Sequence, residues 1–288
     1  MDSKTSRILP PRVRTLRRAK PVDGGGFKGY TQLVTEEPLR YAVLIGKPED
    51  LKPVELARAL ARHKKVPEHD LAGAAKRCWG IVEEDASEAA AKELAGALTA
   101  AKISALAVPK TLLEELPPAA KAPLLAPFKP ERLKLLAAAG FKETTMRTVT
   151  TTEGPDPTQR AIGLGITMMT GMPTGIGKAK KEVQKNVEST ELVFFLDLVL
   201  SDPMERLRID AQDFDFSCLG AKKGYSAIVN FRQLLYDLSD ASRGAVRNRG
   251  TTILLEQRPV REMGYESLSD LDRESRWLLT LSSLKRGA

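Results

Sequence analysis

The feature that most restricts the fold of this chain is the apolar stretch ELVFFLDLVL at residues 191–200. Its even-numbered residues from 192 to 200 are all Leu or Phe, and Val193, Phe195 and Val199 lie between them. Successive side chains of a strand point to opposite faces of the sheet. Because this stretch has apolar residues at both even and odd positions, it predicts a strand whose two faces are both covered.

Composition is that of a globular protein. The chain has 288 residues, of which 42% are hydrophobic, 28% charged and 5% aromatic. That apolar content is too high for a disordered chain, and two cysteines cannot form a disulfide scaffold. The length favours two domains. We therefore expect a soluble cytoplasmic protein with two folded domains.

Positive charge is concentrated at the start of the chain. Residues 1–30 hold eight basic and two acidic side chains, so they carry a charge of +6 out of the total of +8. We predict that residues 1–37 are a basic disordered arm. A solvated tail is one interpretation, and binding of nucleic acid or anionic lipid is the other. The candidate binding residues in the arm are Arg12, Arg14, Arg17 and Arg18.

Residues 38–109 alternate between strand and helix patterns. Apolar runs at 39–46, 79–82 and 103–108 predict strands, and helical periodicity predicts helices after Leu51, from Glu68 to Cys78 and from Ser87 to Lys102. We expect a small open α/β sandwich with helices over one sheet face.

Part of this module is similar to a known fold. Residues 79–94, WGIVEEDASEAAAKEL, followed by residues 101–108, AKISALAV, resemble the C-terminal domain of the ribosomal stalk protein and the related ClpS-like adaptor fold. The resemblance covers about a quarter of the chain. It implies a module that docks protein partners on a helical face, and it assigns no functional residue.

Six prolines from Pro109 to Pro130 predict an interdomain linker over residues 110–130, because proline rings interrupt helices and sheets. Beyond the linker, threonines at 142–153 predict a strand that pairs with others in an antiparallel sheet. A turn at 201–205 leads to a returning strand that continues to Cys218, with a bulge near Asp213.

Two helix patterns follow the strands. One carries an apolar stripe from Ile228 to Leu238, and the other begins at Ser267 and Asp270, which form a capping-box-like pair. We predict an α+β fold overall: the α/β sandwich, then an antiparallel-sheet domain over residues 131–288 with C-terminal helices. A pleckstrin-homology-like sheet with a closing helix is one candidate architecture.

An uncharged segment lies beside a group of lysines. Residues 161–177 carry no charge and precede Lys178, Lys180 and Lys181. Lysines that bind anionic head groups beside apolar residues such as Met168 and Met169 are typical of a peripheral membrane loop. The alternatives are an internally packed loop and a partner-binding patch.

A second basic cluster is loop-like and close to the end of the chain. It consists of Arg243, Arg247, Arg249, Arg258 and Arg261. Loop arginines clamp phosphate groups or acidic protein surfaces, with Arg247 and Arg249 as the candidates. Because Glu256 and Glu262 are near, a plain solvated surface is the alternative.

Other chemistries find little support in the sequence. The phosphate-loop-like segment 171–178 is followed by Ala179 where a magnesium-binding hydroxyl is needed. His63 and His69 lack the spacing of metal ligands, and Cys78 and Cys218 are expected to be buried free thiols. We therefore predict no cofactor, no metal and no catalytic residues, although an enzyme without a recognisable motif stays open.

These features together favour a cytoplasmic adaptor or scaffold that binds a protein partner. The alternative is a protein peripheral to the inner membrane face, or a nucleic-acid-binding protein, that uses the arm and segment 161–177. The sequence leaves the oligomeric state open.

Overall fold

The computed structural model describes residues 39–153 and 181–286, with the backbone alone at 145–153 and 181–189. Its strands are β1 (Tyr41–Ile45), β2 (Ile81–Ala86), β3 (Ala105–Pro109), β4 (Ala120–Lys121), β5 (Leu133–Glu153), β6 (Lys181–Leu200), β7 (Glu205–Asp210) and β8 (Val246–Arg247). Its helices are α1 (Pro53–Lys64), α2 (Glu68–Arg77), α3 (Glu88–Ala100), α4 (Ala227–Ala241), α5 (Arg249–Leu255) and α6 (Leu268–Arg286). The α+β prediction is confirmed.

The N-terminal module forms a three-stranded antiparallel sheet in the order β2-β1-β3. Four consecutive residues of β1, 42–45, are fully buried, so both faces of the small sheet are covered. The side chain of Ser87 caps α3 by accepting a hydrogen bond from the Ala90 amide, as its position before the alanine-rich pattern predicts. β2 begins later than expected, because Trp79 and Gly80 have positive φ angles and turn the chain into the strand.

The second sheet has five strands in the order β4-β7-β6-β5-β8. Its three central strands are antiparallel, but the two-residue strands β4 and β8 pair in parallel with β7 and β5. The predicted antiparallel pairing therefore holds for the three central strands, and the two short edge strands make the sheet mixed.

β5 and β6 form a long hairpin whose register runs from Leu133 opposite Leu200 to Glu153 opposite Lys181. The apolar stretch 191–200 forms the inner half of β6, and Val193, Leu196 and Val199 are buried there as predicted. β5 begins nine residues before the threonine-rich pattern that predicted it, in the alanine-rich residues 133–141.

The returning strand is shorter than predicted. β7 ends at Asp210, and residues 216–222 form a 3₁₀ helix that the side chain of Asp215 caps. The apolar residues change from odd positions up to Ala211 to even positions from Phe214 because the strand ends between them, so the predicted bulge near Asp213 is wrong. Phe214 and Phe216 are buried with their rings edge to face, while Cys218 is exposed, contrary to expectation.

Residues 110–130 pack as part of the fold. Leu113 and Ala122 are buried, Ala120 and Lys121 form β4, and the amide of Glu114 binds the hydroxyl of Thr280 in α6. The described residues from Leu39 onward belong to one compact unit with a continuous core. The prolines therefore lie in an irregular segment that packs against the rest of the fold. A segment without helix or long strand can still bury side chains.

Helix α6 joins the two sheets. Its Trp277 donates a hydrogen bond from Nε1 to the carbonyl of Ile45 at 2.8 Å, and its Asp270 accepts one from Trp79 Nε1 at 2.7 Å. Asp270 also accepts hydrogen bonds from the amides of Glu266 and Ser267, so the predicted capping pair does begin this helix. The Trp79 ring stacks on Tyr265, with centroids 4.7 Å apart.

A buried ionic cluster fixes α6 on the second sheet. Asp197 of β6 is fully buried and accepts hydrogen bonds from Arg206 and Arg208 of β7, and both guanidinium groups also contact Asp272 of α6. Burial alone would lower the pKa of Arg208, but its hydrogen bonds and charge interactions with Asp197 and Asp272 raise it. The cluster therefore favours the charged form of Arg208.

No helix in the described ranges has the length and apolar character needed to cross a bilayer.

Candidate functional site

The structure describes only part of the predicted binding residues. Those outside the described residues are Arg12, Arg14, Arg17, Arg18, Met168, Met169, Lys178 and Lys180. Lys181 is the first residue of β6, where the backbone alone is described. Arg247 ends β8 and Arg249 begins α5, and the fold brings both to one cavity.

Asn248, between these two arginines, attaches this segment to the large sheet. β8 pairs with β5 for only two residues, and the side chain of Asn248 then continues the pairing. Its Oδ1 accepts a hydrogen bond from the Ala138 amide at 3.0 Å, and its Nδ2 donates to the Ala138 carbonyl at 2.9 Å. An asparagine amide thus replaces a peptide group in the ladder while it also caps α5 through the amide of Thr251.

The first turn of α5 lies directly against β5. Thr251 donates a hydrogen bond from Oγ1 to the Leu136 carbonyl at 2.9 Å. A Cβ atom on Gly250 would lie 1.9 Å from the carbonyl oxygen of Ala138. The segment therefore requires glycine at position 250, and this close approach fixes where the neighbouring arginines emerge.

Glu274 of α6 holds the other side of the segment. Its carboxylate accepts hydrogen bonds from the Tyr265 hydroxyl, the Asn248 amide group and the backbone N–H of Arg249. Burial raises the pKa of Glu274, although these donors oppose that rise, and burial together with Glu274 raises the pKa of the Tyr265 hydroxyl. Because all three donors bind the same carboxyl group, Glu274 positions Asn248 and the start of α5.

The cavity above this network has a volume of about 430 Å³. Its basic residues are Arg247, Arg249 and Arg258, and its apolar residues are Pro48, Leu51, Ile253, Trp277 and Leu278. Glu49 and the buried Glu274 also line it. The cavity thus combines three guanidinium groups with an apolar floor.

The three arginines have different partners. Arg247 donates one hydrogen bond to the Ser239 carbonyl, and Arg258 is paired with Glu256 and Glu262, whose contacts raise its pKa. Arg249 is exposed, and its side chain makes no hydrogen bond or ion pair with any residue in the described ranges. A guanidinium group has five donors, so Arg247 and Arg249 together retain capacity for an incoming anion.

Sequence reasoning found the arginines but missed Asn248, Tyr265 and Glu274. A signal for Glu274 exists: it occupies the same helical face as Leu271 and Leu278, three and four residues away. A charged residue at a position of an apolar stripe indicates a buried partner. Arg243 lies apart from the cavity, where it pairs with Asp240, and Arg261 is exposed outside the cavity lining.

No family model, curated protein or solved structure matches this chain.

Proposed function

We propose that this protein is a non-catalytic cytoplasmic adaptor that binds an acidic segment of a partner protein in the arginine-lined cavity. The observation that carries the proposal is the placement of Arg247, Arg249 and Arg258 around one cavity with an apolar floor. Arginine pairs with carboxylates in a bidentate manner, and arginine anchors beside apolar surface are typical of binding hot spots.

The shape and charge of the cavity favour protein over nucleic acid as the ligand. Leu51 is partly exposed and can contact an apolar side chain of a protein ligand, whereas Ile253 and Leu278 of the cavity lining are almost fully buried. A phosphate backbone has no apolar side chain to make such a contact. Glu49 in the lining, and Glu256 and Glu262 on Arg258, would repel a continuous polyanion. An acidic side chain next to an apolar one fits both halves of the cavity.

The first test compares two single-charge removals in the full-length protein. Arg249→Gln removes a cavity guanidinium, and Arg243→Gln removes an exposed arginine outside it. Both variants are used to capture partners from nuclease-treated native extract. We expect a stoichiometric protein partner that Arg243→Gln retains and that Arg249→Gln captures about tenfold less well.

Two results would count against the proposal. Equal capture by Arg249→Gln and the unchanged protein would remove the cavity from the interface. Recovery of nucleic acid or anionic lipid instead of a protein would favour the roles predicted for the arm and for segment 161–177.

A further inference from the structure

Two further cavities adjoin at the end of helix α4. The helix ends at Ala241, and the amide of Ala245 then donates a hydrogen bond to the Ser242 carbonyl at 3.0 Å, which turns the chain toward β8. Both cavities are lined by Pro130, Ala241 and Ser242. Because they share these residues, one ligand of modest length can reach from one cavity into the other.

The larger of the two, here called the basic cavity, has a volume of about 580 Å³. It lies between the turn after α4, the start of β5 and the last turn of α6. Its charged lining residues are four bases and one acid, namely Lys134, Arg243, Lys285, Arg286 and Glu131. The end of a helix such as α4 contributes a negative charge of only about one half. The lining therefore favours an anion.

Two of the four basic side chains have contacts of their own, and two do not. Arg243 is paired with the exposed Asp240, and Arg286 donates to the carbonyl and the hydroxyl of the serine four residues earlier. Lys134 and Lys285 make no hydrogen bond or ion pair with any residue in the described ranges. These two ammonium groups retain their capacity for an incoming anion.

Ser242 is an unpartnered polar residue between the two cavities. Its side chain is 5% exposed, and its hydroxyl is buried without a hydrogen-bond partner among the described residues. The large majority of buried side-chain polar atoms in folded proteins do have such a partner. An oxygen atom of a ligand that lies across the junction is an acceptor that the described part of the fold does not supply.

The smaller of the two, here called the apolar cavity, has a volume of about 270 Å³ and no charged residue in its lining. Pro127 is exposed, and Leu125 and Phe128 are partly exposed, so these side chains are open to contact. Leu238 lies buried beneath them, and the exposed thiol of Cys218 completes the lining. The surroundings suit a hydrocarbon chain.

We propose that the two cavities together bind one small amphiphile, with a phosphate head group in the basic cavity and a single hydrocarbon chain in the apolar cavity. Arginine and lysine side chains both bind phosphate, and cavities of these sizes are typical of small-molecule sites. The combination of an anionic site and an apolar site, side by side, identifies an amphiphile. None of these residues lines the arginine-lined cavity, so the proposal is independent of the adaptor function.

The thiol of Cys218 reports directly on occupancy of the apolar cavity. In the full-length protein, octyl phosphate at about ten times its dissociation constant should slow alkylation of Cys218 by N-ethylmaleimide about tenfold, because about one molecule in ten stays unoccupied. Inorganic phosphate and octyltrimethylammonium should leave the rate unchanged. Cys78 is buried, and Cys218→Ser measures whatever labelling occurs there.

Calorimetric titration separates the contributions of the chain and the head group. Affinity should rise about fourfold per added methylene from butyl through hexyl to octyl phosphate. The double variant Lys134→Gln and Lys285→Gln should bind octyl phosphate about tenfold more weakly. Arg249→Gln should bind it normally, so failure of the adaptor proposal is distinguishable from failure here. Circular dichroism checks that each variant folds, and the chain-length series needs only the unchanged protein.

Equal affinities for butyl and octyl phosphate, or no protection of Cys218, would overturn the proposal. Vesicles that contain phosphatidic acid distinguish the two sources of such a head group. If they slow the alkylation of Cys218 and monomeric octyl phosphate does not, the surface belongs to a membrane contact, and the small-molecule site is overturned.

Discussion

At the scale of single residues, the ionisation of Glu274 is coupled to folding. Its pKa is raised by burial above the ordinary value of 4.5, against the opposing effect of its hydrogen-bond donors. Between the unfolded and the folded pKa the folded state therefore binds more protons than the unfolded state. The contribution of Glu274 to the free energy of unfolding must fall as pH rises through this window, and it is constant above the folded pKa.

Replacement by glutamine tests this coupling. Glu274→Gln cannot ionise, so the difference in unfolding free energy, unchanged protein minus variant, should decrease from pH 4.5 upward, by about 1.4 kcal/mol for each unit of pKa difference. Urea unfolding at a series of pH values measures it. Glu93→Gln, on the exposed face of α3, gives the effect of removing a solvated carboxylate. A difference that grows with pH would show that the buried carboxyl is stabilised in its charged form.

At the scale of elements, the contact of α5 with β5 depends on a missing side chain. Gly250→Ala should destabilise the protein by about 2 to 3 kcal/mol, because the new Cβ would overlap the Ala138 carbonyl. Gly96→Ala is the matched control, since a Cβ there meets nothing within 4 Å and alanine favours the helix interior. It should stabilise by about 0.5 to 1 kcal/mol. Thermal unfolding of both variants checks the opposite signs.

Elements with a clear period were predictable, and short ones were not. β1, α1, α3 and α4 follow apolar repeats that local sequence carries by itself, so their patterns predicted them. β4 and β8 have two residues each and exist only because β7 and β5 offer an edge. Helix α5 was missed for the same reason: its start depends on contacts of Asn248 and Thr251 with a strand more than a hundred residues earlier.

The candidate site was also predictable only in part, and for the same reason. A cluster of arginines is visible in the sequence itself, so Arg247 and Arg249 could be predicted as candidate binding residues. The cavity that they line also needs Leu51 from the first module and Trp277 from the last helix, which no local pattern connects. The prolines of residues 110–130 predict a break between domains because proline rules describe hydrogen bonding, whereas the packing of this segment depends on burial.

At the scale of the whole molecule, the two sheets share one helix and one core, so we expect them to unfold together. Both tryptophans of the chain, Trp79 and Trp277, lie where α6 meets the small sheet, so tryptophan fluorescence reports on that junction. Far-ultraviolet circular dichroism reports on all elements. The two urea transitions should coincide within error. An earlier fluorescence transition would mean that the small sheet separates before the rest unfolds.

The hydrogen bond from Trp277 to the carbonyl of Ile45 joins residues 232 positions apart. A ribosome that adds about 5 to 20 residues per second needs roughly 10 to 50 s to make the chain between them. During that time the nascent small sheet has α3 available on one side but lacks α6. The apolar surface that α6 will cover then stays exposed, so we expect the yield of folded protein to depend on the pace of translation.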